Sequence, residues 1–301
     1  MNLIDDVALP GSLWAIMFSM GLSLTWQDFR RVFNERRALL VGVGAMLVVP
    51  PLVGIVIATK YAPTPELAVG FVLLATCPGG MLSNLMTDLS KGDLALSMSF
   101  TIAVSFIYIF MVPFYAHFAL LHFMGQTREI DVPLLEFIGS IFMMTLVPVT
   151  LGMLVRRFKS ELALQLRGYI KIVAMIVLVG AFITILVDQV EVLRQNAALL
   201  FWMTLACNLI VVTAAFLLSK LARLNAPQTS AVCIEHLIRQ EGTAIYIAVA
   251  IVGSREMSLP MIMNTPIGLV LCIIFVLVMR NVMARHRQEQ APLLRQPEAG
   301  S

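Results

Sequence analysis

The chain has 301 residues, 59% of them hydrophobic and 13% charged, with a mean hydropathy of +0.89 and a formal net charge of +3. Soluble domains carry about 25% charged residues, so this composition excludes an ordinary soluble globular protein. Its apolar runs are continuous rather than alternating, which points to an all-α polytopic membrane protein and argues against a transmembrane barrel, and the small net charge gives no ground for a nucleic-acid partner.

A helix needs about 20 apolar residues to cross the hydrocarbon layer. Nine stretches qualify, at about 8–26, 38–59, 66–90, 94–120, 133–155, 169–187, 197–219, 227–252 and 260–283. The acidic start Met1-Asn2-Leu3-Ile4-Asp5-Asp6 lacks the basic region of a cleaved signal, so the first stretch is expected to remain as a helix. Lysine and arginine in short loops set the orientation. With the N-terminus outside and the C-terminus inside, sixteen of the 21 basic residues fall inside. Lys60, Arg128, Arg194 and Arg255 fall outside, and Arg239 alone lies within a span.

Residues 1–284 therefore read as one transmembrane domain, and 285–301, with Pro292, Pro297 and Gly300, as a disordered cytoplasmic tail. No loop is long enough to bury a core, which excludes a nucleotide-driven pump within this chain. Gly42-Val43-Gly44 lies inside a span and follows no strand, so it is not a dinucleotide loop. Cys77, Cys207, Cys233 and Cys272 lie in apolar segments without metal or disulfide spacing and read as buried packing residues.

Two spans are interrupted by polar residues, one in each half. The third contains Cys77-Pro78-Gly79-Gly80-Met81-Leu82-Ser83-Asn84, and the eighth contains Glu235-His236-Leu237-Ile238-Arg239-Gln240-Glu241-Gly242. Backbone that leaves the helix at membrane depth persists only where protein buries it or where it lines a watery cavity. A matched pair of such breaks points to a transporter's binding site. At the first break Pro78 removes a donor, Gly79 and Gly80 act as hinges, and a second helix is expected from near Ser83. Freed carbonyls with the oxygens of Ser83 and Asn84 suit a hard cation such as sodium. The N-terminal end of that helix favours an anion. Ser97, Thr101 and Ser105 are spaced to share one face of the next span.

The second break concentrates charge. Each ionised residue in mid-span costs about 2.5–3.5 kcal/mol on insertion scales, so Glu235, Arg239 and Glu241 must pair, bind ions or face water. Glu235 and Arg239 stand four apart and form a stitching ion pair if the helix persists; otherwise they belong to a site for ions and substrate. Gly242 marks a place where the chain can bend. His236 has no partner histidine nearby, and Glu235-His236 does not fit the zinc-protease pattern.

At these residues the chain resembles the bile acid:sodium symporter family. The run from Leu74 through Cys77-Pro78-Gly79-Gly80 and Ser83-Asn84 to Lys91-Gly92-Asp93-Leu94-Ala95-Leu96-Ser97 resembles that family's first crossover motif. Phe18-Ser19-Met20-Gly21-Leu22-Ser23-Leu24 is also similar. The resemblance implies two inverted repeats, here about 8–120, lacking its first helix, and about 133–284. These form a core and a panel domain, with the broken helices crossing in the core.

The resemblance further implies a sodium ion on Ser83, Asn84, Ser97, Thr101 and Glu235, and no organic cofactor. A second sodium site does not carry over, because Met46 and Arg239 stand where the family has glutamines. Arginine offers donors only and cannot ligate sodium. Near the substrate, Gln240 replaces an asparagine and is followed by Glu241, and Gly268-Leu269 stand near the family's His-Asn pair. These departures count against bile acid itself as cargo. Met46, His236, Arg239, Gln240 and Glu241 thus mark a substrate or second-site region. There the Arg239 guanidinium either takes the place of a second sodium or binds a substrate carboxylate.

The expected function is sodium-coupled symport of an organic anion, a small carboxylate or an amphipathic acid, by alternating access in the plasma (inner) membrane. The alternative keeps the fold but drops sodium or substitutes protons on Glu235 or Glu241. An enzyme is disfavoured because no nucleophile-base or metal set is visible, and a receptor because there is no output domain. The partners expected are the organic anion and the bilayer. Composition does not set the oligomeric state.

Overall fold

In the computed structural model, residues 4–25, 36–125 and 134–290 are described. A π-helical turn, Ile4–Ala8, leads into α1 (Leu9–Ser23). There follow α2 (Arg36–Tyr61), α3 (Pro65–Ala75), α4 (Met81–Leu89), α5 (Leu94–Met124), α6 (Leu134–Phe158) and α7 (Ser160–Asp188). The second half continues with α8 (Val190–Leu221), α9 (Ala226–Leu237), α10 (Glu241–Tyr246, prolonged by a π turn Ile247–Ile251) and α11 (Leu259–Gln290).

Among the described residues five helices are long and apolar enough to cross a membrane: α2, α6, α7, α8 and α11. A sixth, α5, qualifies if its two halves, bent by 52° between Leu94–Tyr108 and Phe110–Met124, form one span. Pro113 accounts for that bend, since its ring displaces the carbonyl of Ile109 one turn earlier. Large apolar side chains such as Ile172, Ile176 and Ile183 of α7 and Phe106, Phe110 and Phe114 of α5 are exposed, as lipid-facing surfaces require. The protein is an all-α, multi-pass membrane protein. Helix α11 continues to Gln290, past the start expected for the tail. Residues 291–301, and the connections holding Arg30, Arg31 and Arg128, lie outside the described residues.

The helices gather into two groups. Helices α6 and α7 both pack closely on α1. Contact between α1 and α6 depends on two glycines, because a Cβ at Gly21 would stand 2.2 Å from the carbonyl oxygen of Val149 and one at Gly152 would stand 2.4 Å from that of Phe18. The remaining helices pack mainly on one another, and the groups meet chiefly where α6 runs past α5 and where α1 touches α10.

Polar caps place the broken helices. Thr64 caps α3 by accepting from the Leu67 N–H, ahead of Pro65 in the first turn. A reciprocal pair, Asn225 with Gln228, caps α9. The two halves are tied at that end by Asp93 N–H to Pro227 O (3.0 Å) and by the Ser90–Ser230 hydroxyl pair (2.8 Å).

Helix α2 carries Pro50 and Pro51, which withhold the N–H groups that would bond the carbonyls of Met46 and Leu47. Two tyrosines of α5 supply the missing donors. Tyr108 Oη donates to Met46 O at 2.8 Å and Tyr115 Oη to Leu47 O at 3.3 Å.

Candidate functional site

Helices α3 and α9 both end inside the protein, and their unwound continuations run antiparallel across each other. The Gln240 N–H donates to Pro78 O (2.8 Å) and the Gly80 N–H to Ile238 O (3.3 Å), flanking the pair Gly79–Arg239. Each break thereby satisfies backbone groups of the other, as a lipid environment demands. The chain resumes as α4 at Met81, two residues earlier than expected, and as α10 at Glu241. Gly242 lies in the first turn of α10, so the second break falls at 238–240 and not at Gly242; a Cβ there would meet Leu13 Cδ2 at 2.5 Å.

The first cluster forms around Glu235, wholly buried in the last turn of α9. Its Oε1 accepts from Ser83 Oγ (2.7 Å), Ser97 Oγ (2.9 Å) and Thr101 Oγ1 (2.7 Å). Thr87 donates to Ser97 Oγ at 3.2 Å, and Asn84 Nδ2 lies 3.5 Å from Thr101 Oγ1. Two acceptors remain buried without a hydrogen-bond donor: Glu235 Oε2 and Asn84 Oδ1. Three hydroxyls of the expected ion set therefore converge on the Glu235 carboxylate, and Asn84 joins them through Thr101. A carboxylate oxygen, an amide oxygen and three hydroxyls, two of those acceptors lacking donors, fit a hard monovalent cation. Ser105, expected on the same face, does not join them. Its hydroxyl is buried without a partner and borders the cavity described below.

At Arg239 the ion-pair alternative is not realised. Helix α9 stops at Leu237, so the four-residue spacing no longer brings Arg239 over Glu235, and no ion pair joins them. Instead Arg239 Nη1 donates to Leu74 O (3.2 Å) and Ala75 O (3.0 Å), carbonyls at the end of α3. A fixed positive charge thus sits at the negative end of that helix, while Nε and Nη2 remain buried without partners.

Glu241 anchors a second network. Asn264 Nδ2 donates to its Oε1 and Thr265 Oγ1 to its Oε2. Asn208 of α8 in turn donates to Asn264 Oδ1 at 2.6 Å. His236 is buried with Nδ1 2.8 Å from Val232 O, its ring 6.0 Å from that of Phe100. Met46 is fully buried in α2, and its carbonyl is taken by Tyr108. Gly268 faces the end of α9, where a Cβ would stand 3.0 Å from Leu237 O. That contact gives a steric reason for glycine there.

Between the two helix groups lies a cavity of about 1410 Å³. Met17 and Met20 of α1, Ile102 and Phe106 of α5, and Ile141 and Val149 of α6 contribute to its apolar walls. One end reaches the crossover at Pro78, Gln240 and Thr243, and the other carries Arg156 and Arg157. Sequence reading missed Thr87, Asn208, Asn264 and Thr265. The only signal available for Asn208 and Asn264 was an amide inside an apolar run.

Crossed broken helices, a buried carboxylate ringed by hydroxyls and a cavity beside them define a membrane transporter. Comparison with known proteins makes this specific. The Sodium Bile acid symporter family pattern matches residues 11–196, more than half of the chain. The chain belongs to that family, whose members are transporters and not enzymes.

Among its relatives is the uncharacterized sodium-dependent transporter YocS of Bacillus subtilis, 30% identical over 238 residues, covering 79% of this chain and 72% of the relative. A probable chloroplastic sodium/metabolite cotransporter, BASS2 of Oryza sativa, is 29% identical over 226 residues, covering 73% of this chain and 51% of that protein. The ileal sodium/bile acid cotransporter of Oryctolagus cuniculus is 26% identical over 155 residues, covering 52% and 44%. The chain thus spans about half the length of the plant and mammalian proteins.

Proposed function

We propose that this protein is a sodium-coupled symporter of an organic anion, working by alternating access in the plasma membrane with nine spans, N-terminus out and C-terminus in. Residues 1–284 form its single transmembrane domain of two inverted repeats. Helices α1, α6 and α7 act as the panel and the remainder as the core. Sodium binds at Glu235, Asn84, Ser83, Ser97 and Thr101. The observation that carries this reading is the pair of buried acceptors without donors, Glu235 Oε2 and Asn84 Oδ1, beside three hydroxyls.

Arg239 holds the place of a second coupling ion, so one sodium accompanies each cargo. Its support is the guanidinium bound to the α3 carbonyls. The cargo is an amphipathic acid rather than a small carboxylate. The large apolar cavity, with Gln240 and Thr243 at its inner end and arginines at its mouth, favours this choice.

A thermal-shift panel of organic acids of graded size, each in sodium and in potassium, tests the reading. Stabilisation by an amphipathic acid in sodium only is expected. Equal shifts in both salts would sink sodium coupling in favour of a proton-coupled or uncoupled carrier of the same fold, a second reading that the buried Glu241 network supports.

A further inference from the structure

The two ends of the cavity-forming groups are built differently. Where Arg156 and Arg157 lie, α6 and α5 border the open cavity. At the other end one side chain ties the groups together. Arg255 lies in the loop between the π turn and α11. This loop turns at Gly253 (φ 75) and is closed by Ser254 N–H to Ala248 O at 2.9 Å. The positive φ suits a glycine.

The guanidinium of Arg255 bridges two acids. Nε and Nη2 donate to Asp5 Oδ2 at 3.0 and 2.8 Å, and Nη1 donates to Asp188 Oδ2. Asp5 precedes α1 and Asp188 ends α7, whereas Arg255 belongs to the other group. Helix α7 has 29 residues and so is about 43 Å long. Because Arg156 and Arg157 sit near the beginning of α7 and Asp188 at its end, the bridge and the cavity mouth are on opposite sides of the molecule.

We propose that Arg255 is a gating residue of the transport cycle. Shared between Asp5 and Asp188, it holds its own side shut while the cavity is open at Arg156 and Arg157, and it must release both carboxylates before the cavity can open on its side. The chemistry suits a latch. Arg255 and Asp5 are mostly shielded, while Asp188 remains 43% exposed, so the pairs can exchange for water. A fully buried ion pair resists such exchange because an uncompensated charge would be left in a low-dielectric interior. Guanidinium geometry also lets one side chain serve two carboxylates, which an ammonium does less well.

This inference rests on the alternating-access reading, and its test is separable from cargo and sodium. Leu9 is fully buried in α1 one turn from Asp5. Leu9→Cys is introduced alone and together with Arg255→Gln, and the rate of labelling by a membrane-impermeant maleimide is measured on purified, detergent-solubilised protein. The four native cysteines, all buried, supply the background.

Removing Arg255 should speed labelling at position 9 by at least about fivefold, the low end of coupling between distant sites, with Arg255→Lys in between. An unchanged rate overturns the proposal. So does equal acceleration of the native cysteines, which would mean general loosening. If Arg255→Gln does not fold, Asp5→Asn with Asp188→Asn removes the same bridge and is read in the same way. Loss of sodium-dependent transport by the unmodified protein would refute the functional reading while leaving the labelling result intact.

Discussion

Gly79 and Glu235 touch across the crossover: a Cβ at position 79 would stand 2.0 Å from Glu235 Oε2. Both partners are fixed, Gly79 by its pairing with Arg239 and Glu235 by three hydroxyl donors. Gly79→Ala should therefore displace the carboxylate and destabilise the protein by about 1–3 kcal/mol, as overpacking does. Gly80→Ala is the control, since its nearest neighbour would be 3.6 Å away. Melting temperatures in sodium and in potassium check this; the Gly79 variant should also lose most of the sodium-dependent increment.

Glu235→Gln keeps the shape of the side chain and removes its charge. Sodium in hundredfold excess over its dissociation constant stabilises a binding protein by about 2.7 kcal/mol. In the variant that increment should vanish at the same sodium concentration. A variant still stabilised by sodium as strongly as the parent would place the ion elsewhere.

Arg239→Gln removes a buried positive charge and supplies an amide oxygen. The Leu74 and Ala75 carbonyls lose their guanidinium donor, and the position gains an oxygen able to face a cation. Uptake against sodium concentration should become steeper, with a Hill coefficient rising from about one toward two. An identical sodium dependence would show that Arg239 does not stand in for an ion.

Asn264 bridges Asn208 and Glu241. Asn264→Ala should cost about 1–3 kcal/mol, because it strips a donor from a buried carboxylate and an acceptor from a buried amide. Combining it with Glu241→Gln should cost less than the sum of the single changes, by about 0.5–3 kcal/mol for groups in one network. Chemical denaturation of the four proteins measures that coupling.

The break at Pro78 was readable because its missing donor acts on its own backbone, but the reason for Gly79 was not: neither glycine of the break has a positive φ, and it is the approach of Glu235 Oε2 that excludes a Cβ there. The hydroxyl face of Ser97 and Thr101 was readable because helical spacing alone aligns it. Arg239 was not. One of its two readings, an ion pair with Glu235, required a helix running on past Leu237, and the α3 carbonyls it binds lie 165 residues earlier. Asn264 and Asn208 showed only as amides in apolar runs, without their partners, for the same reason: which two amides meet is decided by how α8, α10 and α11 pack. Likewise nothing local to Pro50 or Pro51 shows that tyrosines of another helix complete their turn.

The antiparallel pairing at the crossover also bears on how the chain is made. The Pro78 carbonyl and the Gly80 amide find their partners only on Gln240 and Ile238. During synthesis at about 5–20 residues per second, the first half waits roughly 10–30 seconds for the second. Throughout that interval it carries an unsealed polar gap between α3 and α4. Neither half has a complete hydrogen-bonded backbone alone, so the first becomes a finished membrane structure only when the second arrives. Until then the nascent chain must shield that gap with water, lipid headgroups or the insertion machinery.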